Sequence, residues 1–98
     1  MAVVISAKIL EKLAEKHGVA EREVSQAFQN RTGHLLKDSR EEHQTDPPTM
    51  WFIAPTNRRR LLKVCFVQRY GNSFVRTAYE PNQDELRVYR SYGAPTDF

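Results

Sequence analysis

Two hydrophobic periods divide the chain. In ISAKILEKLAEKHG, residues 5–18, the side chains of Ile9, Leu10, Leu13 and His17 fall on one helical stripe. Ser6 stands where an N-cap belongs, and Gly18 where a left-handed C-terminal cap belongs. VAEREVSQAFQNR, residues 19–31, repeats the pattern with Val24, Ala27 and Phe28 inward, and Thr32-Gly33 closes it. Only a residue or two separates the two segments, which predicts a helical hairpin.

Beyond Gly33 the period shortens to two. HLLKDSR (34–40) is a short strand candidate, and REEHQTDPPT (40–49) is a polar loop whose Pro47-Pro48 opposes helix and sheet pairing alike. TMWFIAPT (49–56) is a strand rich in aromatic and β-branched residues, ended by Pro55. RLLKVCFVQR (60–69) places Leu62, Val64 and Phe66 on one side and Lys63, Cys65 and Val67 on the other. YGNS supplies a Gly-Asn turn signal, and FVRTAYE (74–80) returns as the next strand. PNQDELRVYRSYG (81–93) opens a last helix with acidic residues in its first turn and stacks Leu86, Tyr89 and Tyr92. The expected fold is α+β in the order ααβββ(β)α: an N-terminal helical hairpin, a three- to four-stranded antiparallel sheet and a C-terminal helix. Residues 1–98 form one domain, with a core of about 5–92 and a frayed tail at 93–98.

Composition narrows this reading. The content of 40% apolar and 28% charged residues is that of a globular chain. A single cysteine, Cys65, permits neither an internal disulfide nor a cysteine zinc cluster, as expected of a reducing compartment. MAVVI at the N-terminus is too short for a signal-peptide core or a membrane span, so the expectation is a cytoplasmic protein with no membrane partner.

Charge changes the picture further. Residues 1–48 hold seven Lys or Arg against eight Asp or Glu, whereas 49–98 hold eight against four. Residues 58–76 alone carry six cations and no acid, and ten of the fifteen cations are arginine, whose planar fork suits phosphate oxygens. A focused basic segment of this kind points to a polyanion, with RNA or DNA ahead of a membrane.

Motifs for phosphate loops, dinucleotides, paired metal ligands and GxSxG nucleophiles are all absent, so no cofactor or metal is expected. His17 ends a helix, where its charge suits the carboxyl-end dipole, and His34 starts a strand. His43 lies in a loop among Arg40, Glu41, Glu42 and Asp46, a setting in which it could carry protons near neutral pH. Lys63 and Arg76 flank the turn, and antiparallel pairing would bring them onto nearby rungs. A cation in a central strand must face solvent or an anion, and two converging cations would stabilise a phosphate undergoing cleavage. Strict alternation separates Arg76 from Tyr79 unless a bulge intervenes.

KHGVAEREVSQAF (16–28), a strand, a charged loop, RLLKVCFVQR and RTAYEPNQDELRVY (76–89) occur in an order that resembles BrnT-type toxins of bacterial type II toxin–antitoxin systems, small ribonucleases of the RelE superfamily. The resemblance spans residues 5–92. One departure lies at the end of the last strand, where Thr77-Ala78-Tyr79 stands in place of the family's Ser-Ala-Arg and the arginine is displaced to Arg76. The loop DSREEHQTDPPT also resembles that of short bacterial proteins labelled ADP-ribosyl-(dinitrogen reductase) hydrolase, although such a hydrolase fold needs a far longer helical chain.

The resemblance implies metal-independent RNA cleavage, a cognate antitoxin that covers the basic surface, and DNA contact only through the antitoxin complex. Within it, Lys63 and Arg76 would stabilise phosphate charge, and His43 or Tyr79 would carry the proton, ahead of Glu42. Arg58, Arg59, Arg60, Arg69 and Arg87 would bind RNA, with Trp51 or Tyr70 available to stack on a base. The alternatives are a non-catalytic nucleic-acid-binding or regulatory protein of the same fold, and a small protein-interaction module.

Overall fold

The computed structural model describes residues 2–39 and 46–98. Its elements are β1 (Val3–Val4), α1 (Ala7–His17), α2 (Glu21–Asn30), β2 (Leu36–Lys37), β3 (Thr49–Pro55), β4 (Leu61–Arg69), β5 (Asn72–Tyr79) and α3 (Gln83–Tyr92). The fold is α+β, with five strands in the order β1-β5-β4-β3-β2. The sheet is mixed, because β1 joins the edge of β5 in parallel while every other pair is antiparallel. Val3 and Val4, in a segment read from the sequence only as too short for a signal-peptide core or a membrane span, become a strand by borrowing the edge of β5; Ser73 N–H donates to the Ala2 carbonyl at 2.8 Å.

The helix ends follow the capping chemistry. The Ser6 side chain accepts from the Ile9 N–H, and Gly18 adopts φ 61°, returning its N–H to the Ala14 and Leu13 carbonyls. Asn82 and Glu85 satisfy each other's backbone N–H groups at the start of α3, so the acid in the first turn is half of a capping box.

α2 and α3 lie on opposite faces of the sheet. Phe28 of α2 meets Phe52 and Phe66 edge to face at 4.9 and 5.3 Å, on the side to which alternation sends Leu62 and Val64. On the other side Tyr89 of α3 meets Trp51 at 5.5 Å. Tyr89 is fully buried, and its hydroxyl donates to the His34 carbonyl at 2.8 Å. Burial raises its pKa above the ordinary value. A Cβ at Gly33 would lie 2.5 Å from the Tyr89 hydroxyl oxygen, so only glycine fits there.

Three expectations are corrected. The turn between β4 and β5 is centred on Tyr70 and Gly71, one position before the expected Gly-Asn. Both have positive φ, 53° and 77°, as a two-residue hairpin turn of the right twist demands. The segment after α3 is docked rather than frayed: Phe98 stacks on Tyr89 at 6.3 Å, and Asp97 accepts from the Thr32 hydroxyl at 3.0 Å. Tyr92, which the helical period places with Leu86 and Tyr89, is 71% exposed.

Candidate nucleic-acid interface

The site begins with a fault in the sheet. Cys65 pairs with Thr77 and Phe66 with Val75, so Arg76 has no opposite residue on β4. Without that extra residue, Arg76 would stand opposite Phe66, on the face packed against Phe28. A guanidinium cannot be buried unpaired among phenyl rings. The bulge instead seats Val75 opposite Phe66 and turns Arg76 out to solvent.

Arg76 emerges beside Arg69. Together with Pro47, Val67 and Phe74 they line an open groove of about 330 Å³ on the far end of β4 and β5. Neither arginine makes an ion pair or side-chain hydrogen bond among the described residues. The floor is apolar, since Val67 is buried and Phe74 half-buried. Two uncompensated guanidinium forks above an apolar, partly aromatic surface can hold phosphate oxygens while a base lies against the floor.

Lys63 lies elsewhere, in a second cleft of about 300 Å³ between the sheet and α3. The expectation of an exposed cation is corrected here, for its side chain is only 8% exposed. The anion it faces is internal: Nζ donates to Glu85 Oε2 at 2.8 Å and stands 4.5 Å from the centre of the Trp51 ring. Tyr79, directly opposite Lys63 on β5, donates its hydroxyl proton to the same Glu85 oxygen at 2.7 Å. Burial would raise the Glu85 pKa, but the hydrogen bonds from Lys63, the Asn82 N–H and Tyr79 outweigh it and hold the carboxyl below its ordinary value. The His17 ring lies 5.5 Å from that of Tyr79, bringing the end of α1 against the cluster.

The six cations of 58–76 therefore separate rather than forming one connected surface. Arg59, with φ 69°, reaches Asp97, its NH2 donating to the backbone carbonyl at 3.2 Å. Arg60 donates to Glu23, Glu80 and the carbonyls of His17 and Gly18, tying the α1–α2 junction to the sheet. Burial alone would lower its pKa, and the bonds to Glu23 and Glu80 raise it instead. Arg58 is exposed near Arg22 at the opposite end of β4 from the groove. Arg87 pairs with Asp84 on the surface of α3.

His43 and Glu42 lie outside the described residues. Trp51 is 9% exposed, with one ring face under Lys63, whereas Tyr70 at the hairpin tip is 93% exposed. Sequence reasoning missed Glu85, which it took only as a first-turn acid. Its place in the first turn gave no sign of the approach of the carboxylate to Lys63, twenty-two residues away. Among the described residues no group of three or more His, Cys, Asp or Glu is placed to hold a metal ion, and no helix is long and apolar enough to cross a membrane. Comparison with the profiles of known protein families gives no match, and comparison with curated proteins gives none either.

Proposed function

We propose that the protein binds single-stranded RNA across the α3 side of its sheet and cleaves it, as the toxin of a toxin–antitoxin pair. The observation that carries this reading is the groove in which Arg69 and Arg76 stand without acidic partners among the described residues, over an apolar floor. Contacts of guanidinium with phosphate are independent of base sequence and fix the position of the strand. In the cleavage step a 2′-oxygen attacks the adjacent phosphorus, the bond to the 5′-oxygen breaks, and a cyclic phosphate and a 5′-hydroxyl result. The proton of the attacking hydroxyl passes to a base, and the leaving oxygen takes one from an acid. Arg76 stabilises the additional negative charge of the transition state, whereas Tyr79, bonded to Glu85 beside Lys63, does not line this groove. The partner that restrains such an activity would cover the arginine groove.

A second reading, binding without cleavage, is favoured by one observation. Lys63 already has a carboxylate partner in Glu85, so it is not a free cation for phosphate. Purified protein incubated with labelled single-stranded RNA, with and without EDTA, separates the two. Cleavage in EDTA that yields cyclic phosphate ends supports the nuclease. Salt-dependent binding with intact RNA leaves only the binding domain, and no binding at low salt removes both.

A further inference from the structure

The cleft beneath α3 carries chemistry that the phosphate-binding groove does not use. Its volume of about 300 Å³ is at the lower end for a ligand site and is enough for one aromatic base. Trp51 and Val88 provide apolar wall, while Lys63 and three carboxylates, Asp38, Asp84 and Glu85, bring charge to it.

One of the wall residues has a donor without a protein partner among the described residues. Trp51 is 9% exposed, and its indole N–H makes no hydrogen bond among the described residues. No fully buried polar side-chain atom lacks a partner among the described residues, so this N–H keeps contact with solvent, and Trp51 lines the cleft. Beside it is the Lys63 ammonium, which has three N–H groups and gives one to Glu85. At the mouth stands the Asp84 carboxylate, whose side chain is 79% exposed and whose link to Arg87 is a surface pair that costs little to exchange.

A ligand matching this set must be flat and neutral. It must present an acceptor toward Trp51 and Lys63, and adjacent N–H donors toward a carboxylate. Adenine and cytosine each offer one amino group beside a ring-nitrogen acceptor, and uracil offers a single N–H between two carbonyls. Guanine alone among the bases places a carbonyl, a ring N–H and an amino group in a row, so that its two donors can meet both oxygens of one carboxylate. The acidic rim also disfavours phosphate, which leaves the base inside and the backbone outside.

We propose that this cleft is a recognition site for one unpaired guanine base. As a specificity pocket for RNA it rests on the RNA-binding reading above. Lys63 in the cleft and Val67 in the groove lie on the same strand face four residues apart, a separation of about 13 Å at the rise of a β-strand, which a short single-stranded segment can bridge.

Trp51 is the sole tryptophan, so its fluorescence reports on the cleft directly. Titration with guanosine is expected to give a saturable change. Inosine, which lacks the amino group, should bind about tenfold more weakly, and adenosine, cytidine and uridine weaker still. Asp84→Asn should remove the preference for guanosine over inosine while the protein stays folded, because Asp84 is on the surface. Equal responses to all nucleosides, or none to guanosine, would overturn the proposal.

Two further arms separate the sources of the base. An oligouridylate carrying one central guanosine should bind about tenfold more tightly than oligouridylate alone if the base comes from RNA. Guanosine recognition without any RNA binding would retain the cleft, assign it to free guanine nucleosides and remove the RNA reading. RNA binding with no response to guanosine would do the reverse.

Discussion

Glu85 joins two strands and a helix through a single carboxylate. Its Oε2 accepts from Lys63 and Tyr79, and its Oε1 from the Asn82 N–H. Removing it would leave a nearly buried ammonium without its anion, so Glu85→Ala is expected to cost about 3 kcal/mol in urea denaturation. Replacing Lys63 by Met at the same time should recover much of that loss, because the uncompensated charge is gone. The pH dependence follows from the depressed pKa. A carboxyl that titrates lower in the folded than in the unfolded chain contributes stability above its unfolded value, ordinarily 4.5, and loses it as pH falls through the folded value. Stability measured from pH 6 downward should therefore fall in the parent, and Glu85→Gln should show a shallower fall, the remainder coming in part from Glu23, which is lowered as well. A variant with the parent's slope would contradict this account. Lys63 was legible in the sequence as a cation needing an anion; that the anion is the protein's own was not, since nothing in a linear chain brings residue 85 to residue 63.

Local signals determined the elements well and their faults poorly. Caps at Ser6 and Gly18, the paired periods and the Pro55 boundary all mark elements that form where their short-range chemistry places them. The bulge at Arg76 is different, because it arises from a conflict between alternation on β5 and the phenyl packing on β4 and α2, and neither strand shows it alone. β1 was invisible for a related reason, as two residues become a strand only when the edge of β5 is present. Arg60 illustrates the same dependence on tertiary structure. Charge counting groups it with the RNA-binding arginines, yet its guanidinium joins α1, α2 and Glu80, just past β5, through five acceptor oxygens. Arg60→Ala is expected to destabilise the fold by about 2 kcal/mol, since it removes charge-assisted bonds made by a part-buried group. RNA affinity of the folded variant and its dependence on salt should match the parent. Unchanged stability with weakened RNA binding would return Arg60 to the interface.

At the scale of the whole molecule, the question is which cations remain available to a polyanion. Net charge is +3, but much of the positive density of 58–76 is consumed internally, by Asp97 at Arg59, by Glu23 and Glu80 at Arg60, and by Glu85 at Lys63. Among the described residues Arg69 and Arg76 are the adjacent pair that is not, and they stand at the end of the sheet farthest from Arg58. Interaction with RNA should then depend on two residues rather than six. Replacing both by Ala removes exposed like charges from a groove, which should change stability by less than about 0.5 kcal/mol. The affinity for single-stranded RNA should fall whatever its sequence, and the slope of log K against log salt should flatten by about 0.7 for each phosphate that is no longer neutralised. If the protein cleaves RNA, cleavage should fall further than binding, because the transition state carries more negative charge than the bound strand. Replacing Arg58 and Arg59 instead should have the smaller effect on all three measurements. Equal effects from the two double variants would mean that the strand follows the whole length of β4 and that the groove is not its anchor. A folded Arg69→Ala/Arg76→Ala protein with the parent's affinity and salt slope would remove the groove from the interaction altogether.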